Sequence, residues 1–315
     1  MTTVKIIEKK NLWFSVSALL ITIGFFLMGL RFIKNEPVLN FGSDFAGGST
    51  MVLRFDGLAE KYRHSGRNKE KFQIESSKFI AEVRRVLEEF NLGNSSIQLS
   101  GDQDVVIKTA KVSSDQSLKI RGALTSRLGA NEVLEIDYVG PSMGKELRNQ
   151  AMVITVCVAI ALMAYISWRF EFSYGWGALG ATLHDALIMM SLASILGIEI
   201  NSAFVAALLT ILGYSINDTI VIFDRIRDNI NMLKNQKQAI NLVALVNQSI
   251  RETLGRTINT VLTVVIVLVA LLIFGGETIR PFCIVLLMGT ITGTYSSIFI
   301  ASPVMIMGTS LGPQK

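Results

Sequence analysis

Residues 172–197 read FSYGWGALGATLHDALIMMSLASILG, an apolar run broken only by the adjacent pair His184 and Asp185. Its length matches the roughly 20 apolar residues that an α-helix needs to cross a bilayer's hydrocarbon core. A charge at a helix centre costs about 2.5–3.5 kcal/mol on insertion-based scales, so ionisable residues there are rare and face a bundle interior. Two neighbouring runs raise the same question. Asp218 lies late in the run 200–223, and Arg256 opens the run 257–276. A membrane chain that keeps a His, two Asp and an Arg beside its helices has the groups to move protons, ions or a charged substrate. The bland alternative is interfacial residues snorkelling from helix ends, or structural ion pairs.

The rest of the chain agrees with the membrane reading. It is 50% hydrophobic and 17% charged, with a mean hydropathy of +0.46. Uncharged runs of about 18 or more residues fall at 11–30, 149–168, 200–217, 257–276 and 281–314. With 172–197 they predict six transmembrane helices. The last run is too long for one untilted span, and Pro303 with Gly308 and Gly312 places its exit near residue 305. The first run outlasts a signal-peptide core, and Gly29-Leu30-Arg31 offers no small-x-small cleavage site, so it is expected to stay as an anchor. Cys157 and Cys283 sit inside apolar runs and read as small buried hydrophobes rather than a disulfide or metal framework. No Gly-rich phosphate loop, catalytic Ser/His/Asp arrangement or metal-ligand cluster stands out, so no catalytic residue, metal or cofactor is expected.

Basic residues set the orientation. Lys5, Lys9 and Lys10 precede the first helix and predict a cytoplasmic N-terminus. Counting helices puts Arg169 and the segment 224–256 on the same side. That segment carries Arg225, Arg227, Lys234, Lys237, Arg251 and Arg256 against Asp224, Asp228 and Glu252. The basic-poor turns 197–201 and 275–280 fall outside. The net charge of +5 therefore reflects topology, and no nucleic-acid footprint is expected. The chain divides into 1–31, N-terminus and first helix; 32–148, an extracytoplasmic domain; 149–223, helices two to four; 224–256, a cytoplasmic amphipathic loop; and 257–315, the last two helices with a short cytoplasmic tail.

The external segment has its own pattern. Residues 51–55 suit a strand, and the basic stretch 56–75 reads as a loop. Phe79, Val83, Val86, Leu87 and Phe90 recur at helical spacing, ended by 91–93. Residues 97–99 and 105–108 flank Ser100-Gly101-Asp102-Gln103, a hairpin signal. A second helix over 114–128, opened by Ser113 or Ser114 and closed by Gly129, precedes a strand at 133–139. The order β-α-β-β-α-β predicts a ferredoxin-like α+β domain. In 224–256, Ile240, Val243, Ala244, Val246, Asn247 and Ile250 share a face. That face suits a helix lying on the membrane surface or an extension of the fifth span.

Helical stripes organise the charged residues. Asp218, Tyr214, Ile211 and Ala207 fall along one line, as do Arg256, Asn259, Thr260 and Thr263. The two helices run antiparallel, so Asp218 and Arg256 come to similar depth toward the cytoplasmic ends. A carboxylate that meets an arginine stays ionised, and one that loses it in a dry site takes up a proton. That alternation suits a proton-driven switch, and a permanent salt bridge needs the same residues. His184 and Asp185 lie near mid-bilayer, where histidine suits proton relay or a structural hydrogen bond. They point about 100° apart and need not serve one partner. Gly177/Ala181 and Gly289/Gly293/Ser297 are spaced for close helix packing or for sliding.

These motifs resemble the SecF family of bacterial protein-export membrane subunits, within the resistance-nodulation-division superfamily, over essentially the whole chain. Asp44-Phe45-Ala46-Gly47-Gly48-Ser49 resembles the family's DFTGGT box, and Val139-Gly140-Pro141 with Gly144 and Glu146-Leu147 its VGPxxGxEL block. Gly177-Ala178 with His184-Asp185 resembles the third-helix signature. Gly213-Tyr214-Ser215-Ile216-Asn217-Asp218 followed by Asp224-Arg225-Ile226-Arg227 is similar to GYSxNDTxVxxDRIR. Arg256-Thr257-Ile258-Asn259-Thr260 resembles SRTxNT, with Gly255 in place of the Ser. Ala46 in place of Thr and a basic insertion near 62–71 depart from the pattern.

The resemblance implies a subunit of the bacterial inner membrane with both termini cytoplasmic. It implies pairing with SecD beside the SecYEG channel, with YajC as a further partner. The pair would use the proton-motive force to help export unfolded polypeptides, with Asp218 and Arg256 as proton-path residues. Half of a proton-driven small-molecule or lipid exporter of the same superfamily, and a non-energised scaffold, stand as alternatives.

Overall fold

The computed structural model describes residues 5–55, 69–93, 95–100, 104–110, 112–129, 132–170, 172–275 and 279–308. A membrane-length helix, α1 (Lys10–Ile33), leads into a short turn of helix, α2 (Ser43–Ala46). The domain that follows runs β1 (Gly48–Arg54), α3 (Lys69–Glu88), β2 (Ser96–Ser100), β3 (Asp104–Ala110), α4 (Ser114–Leu128) and β4 (Glu132–Val139). Five helical segments follow among the described residues. They are α5 (Pro141–Arg169), α6 (Phe172–Leu196), α7 (Ser202–Asn235), α8 (Leu242–Phe274) and α9 (Arg280–Ser296), the last continuing through a π-helical turn (Ser297–Ala301) into α10 (Ser302–Gly308).

The sheet has the order β2-β3-β1-β4 with every pairing antiparallel. Alternate residues of a strand point to one face. Met51, Leu53 and Phe55 with Val105 and Ile107 accordingly bury against Val83, Val86 and Leu87 of α3 and Ile120 and Leu124 of α4. Each such side chain contributes about 1.5–3 kcal/mol on burial, which gives the sheet a core of its own. Helix α4 begins on a capping box: Ser113 Oγ accepts from Gln116 N–H at 3.3 Å, and Gln116 Oε1 from Ser113 N–H at 3.4 Å. It ends at Gly129, whose φ of 71° is left-handed.

The expected loop over 56–75 is corrected: α3 already begins at Lys69, ten residues before Phe79. Lys69, Glu70 and Lys71 open α3 as a charged run, which a reading based on apolar periodicity passes over. The remainder of that stretch, most of the basic insertion near 62–71, the turn 101–103 and the tail 309–315 lie outside the described residues.

Among the described residues, six helices are long and apolar enough to cross a membrane: Ile7–Ile33, Ser142–Arg169, Ser173–Leu196, Ser202–Asn235, Leu242–Phe274 and Arg280–Gly308. Pro141 sits at the start of α5, where its missing N–H would have had no helical partner anyway. Gly197 (φ 66°) closes α6, with Ile198 N–H donating to Ala193 O at 2.9 Å. Asn201 and Asn241 cap α7 and α8 through Phe204 N–H and Ala244 N–H. Helices α6, α7 and the α9–α10 span are buried most, while α5 and α8 are covered over a minor part of their surface. Cys157, expected to be buried, is on the exposed face of α5, whereas Cys283 is buried.

The stretch 224–256, read as a loop, is a helical hairpin: α7 runs on to Asn235, and α8 starts at Leu242 and continues unbroken into its span. Its apolar face is covered from within the chain. Leu245, Val246 and Ile250 pack against Ile222 and Ile226 of α7 and against Ile6 and Ile7 of the N-terminal segment. Asn247 fastens that segment, with Oδ1 accepting from Ile6 N–H at 3.0 Å and Ile7 N–H at 3.2 Å.

Candidate functional site

The pair on α6 sits at the centre of the helix core. Asp185 is fully buried. Its Oδ2 accepts from Ser215 Oγ of α7 at 2.6 Å and from Ser296 Oγ of α9 at 2.9 Å. Its Oδ1 lies 3.1 Å from His184 Nδ1. One carboxylate thus joins three spans, which the neighbouring glycines permit. A Cβ at Gly293 would lie 3.0 Å from Ser215 Cβ, and one at Gly289 would overlap the Ile211 side chain. Gly177 packs equally closely on Ala301 O and Met305. The small-residue stripes serve close packing here.

Beyond Ser215 the hydroxyls continue. Ser297 Oγ donates toward Ser215 O at 2.9 Å, and Thr219 Oγ1 reaches Ser297 Oγ at 2.9 Å. Ser296 precedes and Ser297 opens the π-helical turn, a distortion that recurs at functional sites.

His184 turns the other way. Its Nε2 lies 2.8 Å from Ser17 Oγ of α1, Ser17 lies 3.4 Å from Tyr295 Oη, and Tyr295 Oη donates to Trp13 O at 2.8 Å. Ser17, His184 and Asp185 therefore stand in line. With exposures of 5%, 8% and 0% they are closed to a substrate carbonyl, and the chemistry open to them is proton relay or structural bonding.

Asp218 differs from Asp185. It is 3% exposed, and its Oδ2 has no hydrogen-bond partner among the described residues. Thr257 Oγ1 on α8 is likewise buried, with no partner among the described residues. A buried polar atom left unpaired costs about 1–3 kcal/mol, so native structures keep few of them. A carboxyl with an open position has room for a proton or a water.

Arg256 on α8 is exposed and forms no ion pair with Asp218 among the described residues. Asn259, Thr260 and Thr263 are exposed as well. The two threonine hydroxyls turn back on their own helix, Thr260 Oγ1 to Thr257 O at 2.9 Å and Thr263 Oγ1 to Thr260 O at 2.7 Å. On α7, Ala206, Thr210, Gly213 and Asn217 form a second exposed small-and-polar stripe.

The motif boxes meet at the sheet end of the bundle. Asp44 Oδ2 accepts from Ser202 N–H at 3.2 Å and from the Ser202 hydroxyl at the start of α7. Phe45 buries against Met189, Ala193 and Phe204. Gly47 has a φ of 77°, Gly48 touches Thr109 O too closely for a Cβ, and Gly144 packs onto Gly47 N and Phe45 O. Gly140 caps α5 ahead of Pro141. Ala46, the departure from the family pattern, is exposed.

At the opposite end, Asp224 Oδ1 lies 2.8 Å from Arg227 and 3.7 Å from Arg169, while Arg225 pairs with Glu252 at 2.5 Å. These contacts tie α7 to α5 and α8. Ser17, Ser215, Thr219, Tyr295, Ser296 and Ser297 were not singled out for their polar roles from the sequence. Isolated hydroxyls in apolar runs give no periodic signal.

Six membrane spans, ionisable groups sealed between them and a small α/β domain after the first span define a polytopic transport-type membrane subunit. The family described as protein export membrane protein SecD/SecF, C-terminal, matches residues 120–310, more than half of the chain. Protein translocase subunit SecF of Desulfurispirillum indicum is 38% identical over 300 residues, covering 93% of this chain and 87% of that one. SecF of Thermodesulfovibrio yellowstonii is 35% identical over 309 residues, covering 97% and 95%. The crystal structure of SecDF, a translocon-associated membrane protein from Thermus thermophilus, aligns with a TM-score of 0.74 at 32% identity, over 97% of this chain and 38% of that one. SecDF in a super-membrane-facing form aligns at 0.64 and 31% identity, over 98% and 39%. The chain belongs to the SecF family of protein translocase subunits. It is a multi-pass protein of the bacterial inner membrane and a translocation subunit rather than a classical enzyme.

Proposed function

We propose that this chain pairs with SecD and uses the proton-motive force to help move unfolded polypeptides through the SecYEG channel. The observation that carries the reading is Asp218: buried between the helices, with Oδ2 unpartnered and no ion pair to Arg256 among the described residues. In this reading Asp218 takes up and releases the proton, and Arg256 favours its ionised form in one state of the cycle. The His184–Asp185 relay is a secondary proton path.

The outward polar stripes on α7 and α8 support a helical partner, because lipid gives Arg256, Asn259 and Asn217 nothing to bond. A second set of helices, as in the SecDF chains of which this chain spans 38–39%, would cover them. YajC is a further partner in the same reading, and lipid covers the apolar faces of α1 and α5. Both termini are cytoplasmic, and residues 32–148 form a ferredoxin-like domain outside the membrane. The β2-β3-β1-β4 order supports that fold.

A strain lacking the gene, complemented with the chain, tests the reading against the exporter alternative. Restored secretion of a precursor protein with no change in drug efflux is expected. Restored efflux without secretion overturns it.

A further inference from the structure

We propose that Asp44, Lys108 and Glu199 are positioning residues of a rigid clasp that carries motion of α7 to the external sheet. The proposal rests on the proton-driven reading for the source of that motion. The turn between α6 and α7 is bound to the domain side by side-chain and backbone contacts alike. Ile200 N–H donates to Asn40 O at 2.7 Å and Gly42 N–H to Ile200 O at 2.9 Å, pairing Phe41 with Ile200 as a parallel β-bridge. Asn40 Nδ2 donates to Gly197 O at 3.2 Å. From β3, Lys108 Nζ reaches both Glu199 oxygens, at 3.0 and 3.2 Å. Asp44 accepts from Ser202 at the first turn of α7, where a carboxylate also meets the positive end of the helix dipole.

Packing removes the slack. A Cβ on Gly42 would come within 2.5 Å of Glu199 Oε1 and 2.9 Å of Asn201 Cβ. Lys108 and Glu199 are only 24% and 21% exposed, so water and salt screen their pair weakly. Helix α7 is unbroken from Ser202 to Asn235 and carries Asp218 some 24 Å from its clasped end, at 1.5 Å per residue. A shift of α7 on protonation of Asp218 would therefore pull on β3 directly. A sheet moving independently would first have to break two backbone hydrogen bonds and a half-buried ion pair.

The test uses inner-membrane vesicles carrying the full chain with SecD. Lys108→Glu should lower gradient-driven export at least about fivefold, the low end of a typical coupling between sites. Adding Glu199→Lys should restore most of it. Failure of the reversed pair to restore export overturns the ion pair's role. Oxidising Phe41→Cys/Ile200→Cys should leave export unchanged, because the bridged residues move together; a block on oxidation overturns the rigid clasp. Amide exchange supplies a readout independent of export. Asp218→Asn should change exchange in β1 and β3 with the clasp intact and not in the Lys108→Glu background. Unchanged exchange with the clasp intact overturns transmission even where export stays gradient-driven. Export without gradient dependence in the unaltered chain instead defeats the proton-driven reading, while exchange still judges the clasp.

Discussion

Asp218 and Arg256 form no ion pair among the described residues, and Asp218 leaves one carboxyl oxygen unpartnered there in the helix core. A permanent salt bridge would have closed that position.

Asp218→Asn keeps size and hydrogen-bonding capacity but cannot exchange a proton. One charge crossing the membrane is worth about 2.3 kcal/mol per 100 mV, a bias on the order of 50-fold. Gradient-driven export in vesicles should fall by that order at normal protein levels. Arg256→Met should impair export as well, while Arg256→Lys, which keeps charge without the planar fork, should retain part of it. Wild-type export by Asp218→Asn would make the residue structural.

Orientation can be read with cysteines at Lys119 on α4 and at Lys234 near the end of α7. A membrane-impermeant thiol reagent should label the first in intact spheroplasts and the second only after lysis. The reverse pattern would invert the topology.

Asp185→Ala would remove the carboxylate to which Ser215 and Ser296 donate and which His184 Nδ1 contacts. A loss of about 2–5 kcal/mol is expected in detergent unfolding. Asp185→Asn should cost less, because serine hydroxyls can rotate to accept from the amide. If the two variants unfold alike, Asp185 does not act through these bonds.

Gly289→Val should destabilise by about 1–3 kcal/mol through overpacking against Ile211. Ile211→Ala, combined with it, should recover part of the loss. Additive losses would place the conflict elsewhere.

Residues 38–140 expressed alone should fold, since the core around Met51, Leu53, Val105 and Ile120 is complete within the domain. Circular dichroism of a mixed α/β fold with a protease-resistant fragment is the expected result, and uniform digestion the contrary one.

By itself the sequence determined the six spans, because a 20-residue apolar run has few other uses, and the strand-helix order of the domain after the first span, because periods of 2 and 3.6 are written locally. It also marked Asp218, Arg256, His184 and Asp185, since a charge in an apolar run is conspicuous in one dimension. Tertiary structure alone decided what those groups touch. Similar depth on antiparallel helices does not fix rotation about the helix axis, so Asp218 and Arg256 share a level without pairing. Asp185 finds Ser215 and Ser296 from spans 30 and 111 residues away. The clasp joins Asn40, Lys108 and Glu199, polar residues that have no common pattern until packing brings them to one place.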